Sequence, residues 1–286
     1  MNQFGGDWTK IKIEILVEYA KAYLTIMNTY AKRFNWKLLY FDGFAGSGEI
    51  IKVIDDKMTL YYDVDFIIGA AVRIIQLEDT ISFDEYYFVE KKEKNYKELI
   101  EKTKKAFPKK KIFISQEDCN KKLLDLSNYL RNPKNKNYRT LAYIDPCGMQ
   151  VEWRSIECLR GLPMDIWILV PTGLGVNRLL KNNGQISEAW LERLEKFLGL
   201  ERDVIETHFY NKQETLFGEV MNVKVENAIK KSAKLYQSRL KSVFECVSNA
   251  YELKNSANSI MYHLFLASNN STALKIANEI VKKYNN

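Results

Sequence analysis

An alternation constrains this chain more than any other feature. Five short apolar runs, LLYFD (38–42), EYYFVE (85–90), KKIFIS (110–115), TLAYID (140–145) and DIWILVP (165–171), are separated by helical or basic segments. Runs this short and this apolar predict strands buried on both faces. Strands that alternate with helices predict a largely parallel sheet with right-handed crossovers. Open sheets of this kind bind ligands at the carboxyl ends of their strands. Those ends carry Asp42 to Gly48, Glu90, Glu117 with Asp118, Asp145 to Gly148, and Pro171 to Gly175, and all five are expected to face one crevice.

Around these strands the periodicity predicts a long amphipathic helix over 8–34, with Ile11, Ile15, Tyr19, Tyr23, Ile26 and Tyr30 on its apolar face. Residues 49–64 are ambiguous, a hairpin being one reading, and 66–79 reads as a helix. From 176 to 240 the pattern is polar, helical and strand-free, which predicts an inserted helical subdomain for substrate or partner. SVFECV (242–247) and SIMYHLFLAS (259–268) flank a short polar stretch and predict an antiparallel hairpin at the sheet edge, before a closing helix over 271–284. The expected architecture is one α/β domain over 1–286. Its sheet is mostly parallel and seven-stranded, with an antiparallel C-terminal edge hairpin and a helical insertion.

A chain of 286 residues with 46% hydrophobic and 28% charged residues is an ordinary globular one. MNQFGGDWTK has no basic flank before an apolar run, and no stretch approaches the roughly 20 apolar residues of a membrane span. Cys119, Cys147, Cys158 and Cys246 lie far apart, a spacing suited neither to zinc nor to a disulfide framework. A cytoplasmic protein without a membrane segment or metal is therefore expected. The net charge of +7 is uneven: residues 91–139 hold 16 Lys or Arg against 6 Asp or Glu, so this segment is +10 and the remainder −3. Such a patch suits RNA or DNA phosphates, and a solvated lysine-rich helix face would look the same.

The residues at the strand ends suggest a ligand. In DGFAGSG, Gly46 and Gly48 let the backbone turn tightly and approach a ligand, and Asp42 suits a cationic amine. Glycine also serves ordinary strand-to-helix turns, so this motif says little alone. Glu90 is placed to take two ribose hydroxyls, and Asp118 or Glu117 an adenine amino group. Together these acids outline an adenosine with a cationic tail. A dinucleotide would need a GxGxxG turn and an acid about 20 residues on, whereas Glu90 lies 42 residues beyond Gly48. That spacing disfavours an NAD-dependent oxidoreductase.

AYIDPCGM carries the candidate chemistry. Pro146 fixes its own φ and lacks an N–H, so Asp145 and the following turn can aim acceptors at an exocyclic amine. Catalysis would then come from positioning. Asp-Pro also starts plain turns. His263 sits inside an apolar run and reads as a core residue, and neither it nor the distant His208 makes a credible general base. Cys147 lies beside Asp145 but has no neighbour in sequence that would lower its pKa.

WTKIKIEILVEYAKAY, YFDGFAGSG, FVEKK, AYIDPCGM, DIWILVPTGLGVNRLL and YHLFLASNNSTALKIANEI, in this order, resemble the three-Cys-motif partner proteins (TcmP), over nearly the whole chain from Trp8. The resemblance implies a Rossmann-like class I methyltransferase fold binding S-adenosylmethionine, and a partner protein that carries the three-cysteine motif absent here. It puts Asp42, Phe44, Gly46 and Gly48 in the cofactor loop, Glu90 in the place of the ribose acid, and Asp145 and Pro146 in the place of the substrate-side Asp-Pro. Asp-Pro-Cys-Gly lacks the aromatic that stacks on a flipped base in Asp-Pro-Pro-aromatic enzymes, and is closer to the Asp-Pro-Phe-Gly form of enzymes that modify tRNA guanine amines. Two functions are thus expected to compete: a methyltransferase acting on an exocyclic amine of a nucleic-acid base, and a catalytically silent module that keeps the cofactor fold and works with its partner.

Overall fold

The apolar stripe of the first helix ends at Asn35, whose φ of 51° turns the chain straight into the sheet. In this computed structural model, which describes residues 7–54, 63–77, 82–182, 186–214 and 220–284, α1 (Asp7–Phe34) leads to β1 (Lys37–Asp42). A hairpin of β2 (Glu49–Ile54) and β3 (Asp63–Ile68) and the short α2 (Ala70–Ile75) come next. Then follow β4 (Glu85–Val89), α3 (Glu93–Ala106), β5 (Ile112–Ser115), α4 (Cys119–Arg131), β6 (Tyr138–Ile144), α5 (Trp153–Glu157) and β7 (Met164–Val170). A π-helical turn, Thr172–Asn177, opens the inserted segment of α6 (Glu188–Leu198), α7 (Arg202–Phe209), β8 (Tyr210–Glu214), β9 (Val220–Lys224) and α8 (Ala228–Lys241). The chain closes with β10 (Cys246–Val247), β11 (Tyr251–Lys254), β12 (Ile260–Ser268) and α9 (Ser271–Lys282).

The central sheet runs β5-β4-β1-β6-β7-β12, with β10 and β11 both pairing the outer side of β12. Strands β5, β4, β1, β6 and β7 are mutually parallel and β12 is antiparallel. Counted along the chain, the parallel part has the 3-2-1-4-5 order of Rossmann-like sheets. With the antiparallel strand inserted before the edge, this is a mixed α/β sheet of the Rossmann-like class I methyltransferase type. Two apolar layers cover its faces. Residues of α1, α2, α3 and α9 pack on one face around Tyr19, Tyr40, Trp167 and Ala277. Residues of α4 through α8 pack on the other around Phe41, Leu123, Ile166 and Phe265.

The sequence expectation and the structure differ in three places. The seventh strand position holds two strands, because the Ser248 hydroxyl accepts the Leu266 N–H and breaks the edge between β10 and β11. The segment 176–240 is not strand-free: β8 and β9 form an antiparallel ribbon. Most of β8 is exposed, as are Met221 and Val223 of β9, so no buried apolar run marks the ribbon. The helix expected over 66–79 starts only at Ala70, because 66–68 pair with Glu49–Ile51 as part of the hairpin, and its tail at 78–79 lies outside the described residues.

Candidate functional site at the carboxyl ends of the strands

The turn after β1 is bonded to the strands on both sides. Gly43 N–H donates to Tyr143 O of β6 at 2.9 Å, Ala45 N–H to Val89 O of β4 at 3.0 Å, and Glu90 N–H to Ser115 O of β5 at 3.1 Å. Gly46 and Gly48 hold φ of 64° and 83°, a region that side chains rarely adopt, and open space lies where a Gly46 Cβ would point. The backbone of this loop can therefore meet a ligand directly.

Asp42 is buried at the end of β1. Its Oδ1 accepts the Phe44 N–H at 3.0 Å, and the Tyr40 hydroxyl lies 3.5 Å from Oδ2. Burial is the main cause that pushes its carboxyl up to about 7. The bonds from Phe44 and Tyr40 act against that shift, and the negative charges of Asp145 and Glu90 add to it. Three carboxyl groups from β1, β4 and β6 thus share one electrostatic neighbourhood.

Asp145 follows β6 directly, and its carboxylate is held from below. Lys12 of α1, itself buried, donates to both oxygens at 2.7 and 2.5 Å, and the Tyr143 hydroxyl to Oδ2 at 3.2 Å. Pro146 is buried behind it. Two copies of a Tyr-x-Asp step, Tyr40-Phe41-Asp42 and Tyr143-Ile144-Asp145, stand on neighbouring parallel strands, with Asp42 opposite Tyr143. Side chains two apart on a strand share a face, so each tyrosine lies beneath its own acid. Trp8 completes this corner, its ring 5.0 Å from Lys12 Nζ and 5.0 Å from the Tyr262 ring.

Glu90 is 9% exposed, and its Oε1 accepts the Lys92 N–H at 2.7 Å. Asp118 caps α4 by accepting the Asn120 N–H at 2.9 Å and pairs with Lys91 at 3.1 Å. Burial raises the Asp118 carboxyl, but Lys91 and Asn120 outweigh it and hold the group below the ordinary carboxylate range. Glu117 pairs instead with Lys121 on the exposed side of α4. Cys147 is exposed at the turn, and desolvation and the negative charge of Asp145 push its thiol up, the reverse of an activated nucleophile. His263 Nδ1 lies 2.7 Å from the Thr172 hydroxyl in the core, and burial lowers the ring to about 4. Among the described residues no cluster of three or more His, Cys, Asp or Glu could hold a metal, and no helix is long and apolar enough to cross a membrane.

Lys12 is the residue that sequence reasoning missed. It lies four residues before Leu16 and seven before Tyr19, on the buried stripe of α1, so a lone cation at the head of an apolar stripe was the available signal.

No family model and no curated protein matches the chain. Among solved structures it is similar to a DUF519 protein from Legionella pneumophila, with 13% identity, 94% of this chain and 91% of that chain covered, and a TM-score of 0.43. It is also similar to Trm1 from Pyrococcus horikoshii in complex with S-adenosyl-L-methionine (12%, 97% and 58% covered, 0.48) and to a candidate S-adenosylmethionine-dependent methyltransferase from Listeria monocytogenes (12%, 90% and 98%, 0.39). The chain thus spans 58% of the Trm1 chain. At these identities and scores the likeness concerns the fold and assigns no activity.

Proposed function

We propose that this chain is an S-adenosylmethionine-dependent methyltransferase acting on an exocyclic amine of a nucleic-acid base. The observation that carries the proposal is the convergence of Asp42, Glu90 and Asp145 from three adjacent strand ends beside a glycine loop. The donor set suits the cofactor. Buried carboxylates accept from an ammonium and from ribose hydroxyls, and favour a sulfonium cation. The same cluster repels a pyrophosphate, which disfavours a dinucleotide. Asp42 would face the cationic tail, Glu90 the ribose and Asp118 the adenine rim, with Phe44, Gly46 and Gly48 supplying the loop. When bound, the group supplies an electrophilic methyl carbon.

The chain's own residues would orient the nucleophile. Asp145 and the carbonyls around Pro146 accept from the substrate amine and aim its lone pair. Lys12 and Tyr143 fix the acid's rotamer and balance its charge. The exposed basic segment would contribute attraction to polynucleotide.

A second reading has its own observation. Lys12 already engages both Asp145 oxygens, so the proposed acceptor is largely satisfied in the isolated chain. This favours a silent cofactor-fold module, or a site completed only with the three-cysteine-motif partner that the family resemblance suggests.

Calorimetric titration with S-adenosylmethionine, its demethylated product and NAD tests the cofactor. The first two should bind and NAD should not, and Glu90→Ala should weaken S-adenosylmethionine by ~1.5–3 kcal/mol with folding unchanged. Binding of NAD alone would overturn the proposal.

A further inference from the structure

The cations that the sequence concentrates in 91–139 do not all gather at the crevice. Helices between parallel strands run back against them, so the ends of α1, α3 and α4, and the turns entering β1, β5 and β6, fall at the amino end of the sheet. Lys32 and Arg33 end α1, Lys37 opens β1, Lys109 precedes β5, and Lys136 and Arg139 flank the start of β6. Among the described residues none of these six has a carboxylate within ion-pair distance. Complementing helix dipoles accounts for Lys32 and Arg33 but not for the cations of the turns.

Large aromatic rings lie between these cations. Tyr30 and Phe34 are 45% and 49% exposed, yet they stack on each other at 6.3 Å, and Phe34 stacks on Trp36 at 5.1 Å. Arg33 lies 5.3 Å over Phe34, Arg139 4.3 Å over Trp36, and Lys37 5.5 Å over Tyr138. Tyr138 meets Tyr129 edge-on at 5.4 Å. Tyr129 in turn lines a cavity of about 370 Å³ that Glu85 and Asp125 also line; in it the half-exposed Phe113 stacks on Tyr87, and Tyr87 on the buried Phe41. Tyr138 itself is only 4% exposed, so the exposed aromatics form two patches, Tyr30 with Phe34 at the end of α1 and Phe113 with Tyr129 toward the edge of the sheet.

Exposed rings interleaved with uncompensated cations fit one chemistry: π-faces for bases and charges for phosphates. A duplex hides its base faces, so the match is to a single strand. From these contacts we infer that the amino end of the sheet is a docking surface for single-stranded polynucleotide. Bases stack on Tyr30 and Phe34 and enter the Phe113–Tyr129 groove, while Lys37, Lys109, Lys136 and Arg139 take phosphates. Tyr30, Phe34 and the four phosphate-taking cations sit at the amino ends of the strands, roughly 20 Å from Asp42 along β1 at 3.3 Å per residue, so this part of the surface is separate from the carboxyl-end crevice and is tested apart from it.

Fluorescence anisotropy of the full chain with a labelled single-stranded RNA, the same sequence as single-stranded DNA, and its duplex, over about 50 to 300 mM salt, tests this. The single strands should bind and the duplex should bind more weakly. Tyr30→Ala/Phe34→Ala, at exposed positions, should weaken single-strand binding at least about tenfold with an unchanged salt slope. Lys109→Glu/Lys136→Glu should flatten the log–log slope by about 0.7 for each phosphate no longer neutralised. The inference is overturned if the single strands do not bind at about 100 μM, or if both double variants bind them as the parent does. It is also overturned if the aromatic variant merely abolishes self-association seen by sedimentation, which would make this face an interface between copies. S-adenosylmethionine titration of the same variants should match the parent, so a failure of the crevice reading would show there and not here.

Discussion

Lys12 Nζ binds both oxygens of Asp145, at 2.7 and 2.5 Å, and so ties the first turns of α1 to the end of β6 across 133 residues of sequence. The side chains are 8% and 18% exposed, so solvent screens the pair only slightly. Removing one partner of a buried pair strands the other, whereas removing both is far cheaper. Lys12→Met should therefore destabilise the fold by roughly 3 kcal/mol in urea denaturation. Lys12→Met/Asp145→Asn should recover most of that stability. If the double variant is as unstable as the sum of the singles, the pair is not what anchors α1 at this corner.

Asp42 makes stability depend on pH and, on the proposed cofactor reading, ligand binding as well. An ordinary aspartate ionises near 3.8, and burial pushes this one to about 7. Between those values the folded chain holds a proton that the unfolded chain has released. The group's contribution is therefore fully present below pH 3.8 and is lost as pH rises through 7. His263, lowered to about 4, works at the acid side: its contribution is present above 6.5 and is lost as pH falls toward 4. The Asp42 effect is thus best read as the difference between parent and Asp42→Asn, whose Tm should draw ahead of the parent as pH rises from about 4 to 7 and hold that lead above it. A cationic ligand favours the ionised carboxylate, so S-adenosylmethionine should release a proton on binding and bind more tightly as pH rises through this window. Calorimetry in two buffers of different ionisation enthalpy measures that proton, and its absence would remove Asp42 as the partner of the cation.

The turn after β1 is tight at a position that the glycine motif did not single out. A Cβ on Gly43 would lie 2.5 Å from Cys119 Sγ and 2.9 Å from Ile144 Cδ1. Gly43→Ala should cost about 1–3 kcal/mol through overpacking. Gly43→Ala/Cys119→Ala should be more stable than Gly43→Ala alone, since it removes the nearer obstacle. Thermal denaturation of the single and double variants decides this, and a double variant no better than the single would place the strain elsewhere.

The strands were readable because β1, β6 and β7 are buried on nearly every residue, and β4 on three of its five, and they leave unbroken apolar runs. The β8–β9 ribbon was not, since its exposed residues carry no apolar signal. The same contrast holds at the site. Asp42, Glu90 and Asp145 could be placed together because sheet topology fixes where strands end. Lys12 meets Asp145 only through the docking of α1, which periodicity does not specify. The choice between Glu117 and Asp118 turned on a single residue of register, and the α4 cap engages Asp118 while Glu117 pairs along the helix. The charge of 91–139 was visible as a sum, but its division between the two ends of the sheet needed the direction of α3 and α4.

Asp145 separates the enzyme from the silent module. Asp145→Ala would remove the acceptor and every bond to Lys12, so Asp145→Asn is the cleaner variant: it too leaves the Lys12 charge unpaired, but it keeps the shape and one oxygen for Lys12. The contacts proposed for ribose and adenine lie on other strand ends, so its S-adenosylmethionine affinity should stay within about threefold of the parent, under ~1 kcal/mol. Methyl transfer to total RNA or DNA should fall at least ~10²-fold, the scale of losing one positioned electrostatic partner in a closed site. The assay is run with and without the three-cysteine-motif protein proposed as a partner, because Lys12 engages the acid in the isolated chain. Equal reductions of affinity and transfer would make Asp145 part of the cofactor site instead. A parent that binds cofactor and, even with the proposed partner added, transfers no methyl to either nucleic acid would leave the module as the account of this fold.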